Sequence, residues 1–321
     1  MRVVFMGTPI IAVPTLEALV ADGQELVGVV TQPDRPAGRG REPVAPPVKV
    51  AALAYGLPVL QPLSLRKLAA VAELRALAPD AIVVVAFGQI LRPSVLEIPR
   101  LGCLNVHPSL LPALRGPTPI NGAILAGLAR TGVTIDLMDA GMDTGPILRQ
   151  ISEPVLAEDN AETLGRRLAE IGAGLLVETL HDWAAGHLSP IPQAHDQATF
   201  TRIIDRQDGR VDWSLGAAAI ERKHHAYWPW PGTFTHWTGK VLKLIAVRSL
   251  DEAASDVPGA VPGTVLGLAS SKAGGPGGAA LRVVTGEGVL AIAQLQIEGK
   301  RAVSAAEFAR GQPSIIGARL G

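Results

Sequence analysis

Ala81-Ile82-Val83-Val84-Val85 is a run of five consecutive apolar residues, four of them β-branched. Branching at Cβ favours an extended chain. With no polar residue on either side of the pleat, the strand must be covered on both faces. Arg2–Met6, Leu26–Val30, Cys103–Val106 and Val133–Met138 read in the same way. Between and after them lie segments of helical character: Pro14–Asp22, Val48–Tyr55, Leu63–Leu77, Thr118–Leu125 and Ala161–Ala185. In the last of these, Leu164, Leu168, Ile171, Leu175 and Leu176 recur every three or four residues and form one apolar face. Doubly covered strands alternating with helices predict an α/β fold built on a parallel sheet with helical crossovers.

That pattern dissolves into Pro, Gln, Asp and Thr after the long helix, and a different texture follows. The reading is a first domain over residues 1–188, a linker over 189–207 and a second domain over 208–321. The second domain opens with a helix near Leu215–Tyr227. It continues as short Val/Leu-rich strands punctuated by Gly and Pro, which suggests a small barrel or sandwich. Charge follows the same division. From Arg206 onward 13 basic side chains face 9 acidic ones, a net +4, while the preceding part carries 16 against 20, a net −4.

Several classes are excluded by the same inventory. Basic and acidic residues balance at 29 each, so the chain does not coat nucleic acid by charge alone. Hydrophobic residues are 48% and charged ones 18%, which argues against disorder. The apolar run Ala81–Phe87 is far shorter than the roughly 18 residues that cross a bilayer. The opening Met1–Gly7 reads as a strand entering a turn and not as a secretory signal. A single cysteine, Cys103, permits no internal disulfide. A cytoplasmic protein without a membrane partner is expected.

Chemistry-bearing residues concentrate between Leu104 and Leu148. Gly7-Thr8-Pro9 opens a helix as nucleotide-binding folds do, but the dinucleotide fingerprint needs three glycines. Here Gly7 stands alone and Pro9 removes a backbone donor, so a plain turn is the reading. Asn105 and His107 alternate at a strand end and project to one face. Pro108 and Pro112 stiffen the following loop, and Asp143 lies in the polar, turn-rich loop Asp139–Pro146 after the next strand. Loops at the carboxyl ends of adjacent parallel strands share a crevice. An amide, an imidazole and a carboxylate are therefore expected to meet. Ser109 lacks a nucleophile-elbow setting, and one His, one Asp and one Asn make a poor ligand set, so no metal is expected. The trio suits acid–base chemistry and oxyanion stabilisation. On these residues alone, a structural histidine stands as an equal reading.

Asn105-x-His107-x-Ser109-Leu110-Leu111-Pro112, Arg115-Gly116 and Asp143-x-Gly145 together resemble the signature of the formyltetrahydrofolate-dependent formyltransferases. The likeness runs nearly end to end. It is supported by Met6–Pro9, the loop Gln32–Arg41, Ala86–Leu91, Asp208–Trp213, Pro229–Gly232 and Gly299–Arg301. The resemblance implies a Rossmann-like formyltransferase domain followed by a small C-terminal β-barrel of oligonucleotide-binding (OB-like) type. It implies 10-formyltetrahydrofolate as formyl donor, the α-amine of initiator methionyl-tRNA as acceptor, and a monomer.

By position, the resemblance makes Asn105, His107 and Asp143 catalytic, with a protonated His107 stabilising the oxyanion and Asp143 holding that charge. It places Ser109, Leu110, Leu111 and Pro112 at the folate, with Ala86, Phe87, Gly88, Gln89, Ile90 and Leu91 and the loop Asp139–Asp143. Arg35, Arg39 and Arg41 become an arm for the tRNA acceptor stem. Trp228 and Trp230, set among prolines, are expected to pack at a domain interface rather than stack on bases. The alternatives are a formyltransferase for an amino-sugar nucleotide, which Asn121 resembles, a formyltetrahydrofolate hydrolase, and a catalytically dead tRNA-binding protein. The intact trio argues against the last, and the basic arm against a small acceptor.

Overall fold

The computed structural model describes residues 1–37, 42–250, 261–270 and 278–321. It divides into two compact units. The first comprises Met1–Ala123, Ala129–Val155 and Thr163–Arg202; the second comprises Ile124–Leu128, Leu156–Glu162 and Ile203–Gly321.

Strands β1 (Arg2–Gly7) and β2 (Glu25–Val30) flank helix α1 (Val13–Ala21). A small hairpin, β3 (Arg35–Ala37) and β4 (Glu42–Val44), precedes α2 (Pro47–Ala54), β5 (Val59–Leu60) and α3 (Leu68–Ala76). Then come β6 (Ala81–Val85), α4 (Pro93–Leu96), β7 (Cys103–His107), α5 (Pro119–Leu125), β8 (Arg130–Leu137), β9 (Ile147–Pro154) and α6 (Ala161–Ala184). The main sheet has the order β5-β2-β1-β6-β7-β8-β9. As the apolar runs require, every residue of β6 and β7 is buried. Val4, Met6, Ile82, Val84, Phe87 and Leu91 belong to one continuous core on this sheet.

The expectation of a parallel sheet holds from β5 through β7 and fails beyond it. β8 runs antiparallel to β7, and β9 antiparallel to β8. A run buried on both faces has the same composition in either direction, so apolar pattern does not encode orientation. β9 escapes notice because its residues are mostly half-exposed or exposed. Helix α3 starts at Leu68 rather than Leu63, because Gln89 occupies the preceding backbone: its Oε1 accepts from Leu65 N (2.9 Å) and its Nε2 donates to Pro62 O (3.2 Å).

The second unit holds α7 (Ala217–Ala226), then β10 (Thr233–Trp237), β11 (Lys240–Leu250), β12 (Val265–Ser270), β13 (Ala279–Val284), β14 (Val289–Ile297), β15 (Val303–Ser304) and α8 (Ala305–Gly311). Its antiparallel sheet has the order β10-β11-β14-β13-β12, with β15 on β14. Trp213, Ile220, Trp237, Leu290, Ile292 and Phe308 sit in its core, the two large rings Trp237 and Phe308 packing edge-to-face at 5.7 Å. A small antiparallel β domain is thus present, as expected.

One buried polar pair makes this unit sensitive to acid. His224 on α7 is 6% exposed, with Nδ1 2.7 Å from Thr233 Oγ1. Burial, aided by neighbouring His225, pushes its imidazole down to about 4, while Glu221 and a backbone bond at Ile245 act the other way. Between about pH 6.5 and 4 the unfolded chain therefore binds more protons, so stability is lost as pH falls through that window. The loss should reach on the order of 3 kcal/mol at the acid end. Four of the five tryptophans lie in this unit. Urea unfolding followed by their fluorescence at pH 7.5 and 5.0 should show the drop, and His224→Gln should flatten it.

Candidate active site

Strand β7 ends in the two polar residues that the first unit buries beside its central crevice. Asn105 is 8% and His107 5% exposed, two residues apart on one face of the strand. The neighbouring strand β6 runs out into Ala86–Gln89, where Ala86 (φ 47°) and Gly88 (φ 84°) both take left-handed backbone. Phe87, 2% exposed, anchors this turn in the core. The turn is held by side chains in place of a ladder: Phe87 O accepts from Thr8 Oγ1 (3.0 Å) and Gln32 Nε2 (3.3 Å). The crevice holds about 330 Å³, with Val84, Val133, Ile120 and Leu168 among its apolar walls and Asn105, His107 and Asp143 at its polar end.

Asp143 arrives by a route different from the one expected. Because β8 is antiparallel, the loop 138–146 leaves at the far end of the sheet and must turn back over its face. Leu137 lies opposite Leu104, at the start of β7, not at its carboxyl end. The return is tight: a Cβ on Gly145 would fall 1.7 Å from Leu137 O. Asp143 itself is left-handed at φ 52°. Its Oδ2 accepts from Gly116 N–H at 2.7 Å, and its Oδ1 stands 3.7 Å from His107 Nδ1.

The tautomer of His107 follows from its other nitrogen. Nε2 lies 3.1 Å from Leu114 O, a carbonyl that can only accept, so Nε2 carries the hydrogen and Nδ1 presents its lone pair toward Asp143. Burial pushes His107 below the ordinary imidazole range; Asp143 and the Leu114 carbonyl oppose the shift, and burial prevails. His107 rests neutral, with Nδ1 ready to accept a proton.

The structure brings Asn105, His107, Asp143, Ala86, Phe87, Gly88 and Gln89 to the crevice. It does not bring the rest. Ile90 is 69% exposed, and Leu91 is buried in the core. Ser109 is fully buried, its Oγ donating to Ala113 O at 2.5 Å, and Leu111 N–H is held by Thr134 Oγ1 at 3.1 Å. Ser109, Leu110, Leu111 and Pro112 thus build the turn that carries Leu114 O to His107, outside the crevice lining. Arg35 is exposed on β3, with Nη2 3.3 Å from Gln32 Oε1. Arg39 and Arg41 lie outside the described residues. In the second unit Trp230 is 58% exposed and borders a cavity of about 420 Å³ with Arg206, Phe234, His236 and Lys243.

Two neighbours of the site are not foreseen from the sequence. Gln193 falls in the expected linker, yet residues 191–201 are bonded along the first unit at Ile147, Leu114 and Arg115. The Gln193 amide donates to Asp143 O (3.0 Å) and Gly145 O (2.6 Å), and its Oε1 accepts from the buried Arg115 guanidinium (2.6 Å). Asp136, on β8 opposite Asn105, accepts from Asn105 Nδ2 at 3.1 Å. The sequence does carry a signal for it: a carboxylate inside a strand otherwise covered on both faces.

A buried amide, an imidazole and a carboxylate around an apolar crevice suit an enzyme that stabilises developing charge and moves protons. The formyl transferase family pattern matches residues 1–180, and the formyl transferase C-terminal domain pattern matches residues 203–313. A methionyl-tRNA formyltransferase of Roseiflexus sp. (strain RS-1) is 52% identical over 322 residues, covering 100% of this chain and 95% of that protein. Another, of Chloroflexus aurantiacus (strain ATCC 29366 / DSM 635 / J-10-fl), is 50% identical over 97% of each. The chain belongs to the formyl transferase family, among its methionyl-tRNA formyltransferases.

Solved structures share the fold. HypX from Aquifex aeolicus in complex with tetrahydrofolic acid superposes with a TM-score of 0.64 at 19% identity, over 96% of this chain and 47% of HypX, so this chain spans about half of that protein. WlaRD, a sugar 3N-formyl transferase, gives 0.63 at 15% identity, covering 94% of this chain and 99% of WlaRD. Among the described residues no group of three or more His, Cys, Asp or Glu could hold a metal, and no helix is long and apolar enough to cross a membrane.

The amide that holds Asp143 gives a direct test of this geometry. Gly116 has φ 106°, and a Cβ there would fall 2.7 Å from Thr201 O. Gly116→Ala should therefore displace the N–H from Asp143 and lower turnover by at least about 10-fold, the scale of a broken charge-assisted hydrogen bond. Steady-state kinetics beside a thermal melt checks this; full turnover in a folded variant would mean that the bond does not position Asp143.

Proposed function

We propose that the protein transfers the formyl group of 10-formyltetrahydrofolate to the α-amine of initiator methionyl-tRNA, giving N-formylmethionyl-tRNA. The observation that carries this reading is the convergence of Asn105, His107 and Asp143 at the polar end of an apolar crevice, in a chain of this family. The residues present suit a folate. The irregular backbone at 86–89 lines the crevice, where its peptide groups can meet the edge of a planar heterocycle, and Val84, Ile120 and Leu168 offer apolar walls. When bound, the folate supplies a formyl carbon on N10.

The chain's own groups account for the rest. Attack by the amine forms a C–N bond, places negative charge on the formyl oxygen and leaves an excess proton on the amine. Asn105 lies at the crevice with an N–H to donate to that oxygen. His107 Nδ1 and Asp143 take the proton, and the charged imidazole, stabilised by Asp143, then donates it to the leaving nitrogen as the old C–N bond breaks. The neutral resting ring makes His107 a base first and an acid afterwards. The apolar walls exclude the water that would hydrolyse the donor.

Supporting a tRNA acceptor are the +4 excess from Arg206 onward and the exposed Trp230 beside Arg206, His236 and Lys243. Cations interleaved with an aromatic face are a recurring surface for nucleic acid. Arg35, Arg39 and Arg41 are assigned to the acceptor stem.

The test is formyl transfer from 10-formyltetrahydrofolate to methionyl-tRNA, run beside an amino-sugar nucleotide and a water blank. Product on the sugar alone, or free formate alone, would overturn the assignment. In the active system His107→Ala should cost on the order of 10²–10³ in turnover with folate affinity nearly unchanged, because the ring acts in the transition state. Replacing Arg39 and Arg41 together by Gln should weaken use of methionyl-tRNA and flatten its salt dependence by about 0.9 in log–log slope for each phosphate no longer neutralised. Filter binding across a salt series, with folate titrations in parallel, measures both; an unchanged slope would make the arm a surface loop.

A further inference from the structure

We propose that Asp136 is a positioning residue for formyl transfer: by accepting one N–H of the Asn105 amide, it turns the second N–H of that amide into the crevice. The inference rests on the role of Asn105 proposed above. Asn105 and Asp136 are register partners across β7 and β8, so their side chains emerge on the same face of the sheet. Asp136 is 1% exposed, and its Oδ1 lies 3.1 Å from Asn105 Nδ2. An asparagine amide is otherwise free to rotate about χ2 through a broad range. With one hydrogen fixed on Asp136, the planar geometry of the amide dictates where the other points. Asn105 lines the crevice and Asp136 does not, so the contact acts from behind the reacting groups.

The charge state fits that task. Among the described residues no cation pairs with Asp136, and burial together with nearby Asp143 pushes its carboxyl well above the ordinary range. The shift disfavours a negative charge on Asp136 beside the developing oxyanion, while its Oδ1 accepts from Asn105. Stability does not call for such a pair. A carboxyl whose pKa folding raises favours unfolding at neutral pH, and an apolar residue of similar volume would fill the space at little cost.

Two substitutions separate positioning from structure. Asp136→Leu removes the acceptor at nearly constant volume, and Asp136→Asn keeps an acceptor in place. At pH 7.5 we expect Asp136→Leu to lose about 10- to 100-fold in kcat, the lower range for a displaced oxyanion donor. KM for methionyl-tRNA, affinity for 5-formyltetrahydrofolate as a non-reacting probe, and melting temperature should not worsen. Asp136→Asn should recover kcat to within about threefold of wild type. A readout independent of turnover is available, because the chain has three asparagines: Asn105, Asn121 and Asn160. With ¹⁵N-asparagine labelling, only the side-chain amide pair absent from Asn105→Ala should move in Asp136→Leu. Wild-type kcat in Asp136→Leu, an Asn variant as slow as the Leu variant, or an unmoved Asn105 pair would each overturn the proposal. A wild-type protein that formylates nothing, with the amide pair moving as expected, would instead overturn the role given to Asn105.

Discussion

Asp143 reaches His107 only because its loop folds back across the sheet, and the bond from Gly116 N–H to its carboxylate meets it there. A hydrogen bond to a charged group contributes about 1.5–3 kcal/mol, more than a neutral one. The left-handed backbone at Asp143 needs such restraint, since a non-glycine residue there is sparsely populated. Gln193 adds the second clamp, taking Asp143 O and Gly145 O on one amide. The buried guanidinium of Arg115 in turn fixes Gln193, donating to its Oε1 and reaching His195 Nδ1 as well. The signature residues Arg115 and Gly116 thus act on the neighbouring loop: one through a side-chain relay, the other through its own backbone.

The same reversal explains what is and is not legible in the sequence. The strand runs through β7, the helices and the small β domain follow from apolar periodicity, with the start of α3 shifted to Leu68. Direction does not follow, because β8 looks the same parallel or antiparallel. The crevice shared by parallel strands, which predicts that Asn105, His107 and Asp143 meet, is therefore not the one that gathers them. They meet because the loop after β8 returns to the required place, a path fixed by the close approach of Gly145 to Leu137 O. Ser109 to Pro112 read as ligand contacts because motif residues carry no label for whether they touch a ligand or shape the chain that does. Ser109 is spent on Ala113 O, inside its own turn. Gln193 is hidden by its surroundings: a Pro- and Gln-rich stretch reads as linker unless its partners are known.

Burial governs the electrostatics of the crevice as much as charge does. His107 is pushed down and Asp136 up for one reason: burial penalises the charged form of each. A neutral imidazole has a stronger claim on a proton released beside it than an imidazolium could, and in the proposed reaction the proton appears only when the amine attacks. The site then carries its stabilising charge when the oxyanion forms and not before. Such timing favours the transition state over the bound reactants, which is what accelerates a reaction.

The charge layout of the chain extends the same economy to the acceptor. A protein with 29 basic and 29 acidic residues has no general attraction for polyanions. Separating the two signs, −4 before Arg206 and +4 from it onward, confines attraction to part of the surface without raising net charge. For an enzyme that acts on one tRNA among many, a globally basic surface would retain every competitor by counterion release, which is indifferent to sequence. On the proposed reading, a modest positive patch with an exposed indole holds the acceptor loosely enough to sample and release. The chemistry at Asn105, His107 and Asp143 then admits only a free α-amine placed against the formyl carbon, and the choice among tRNAs that carry one falls to the surface that positions them.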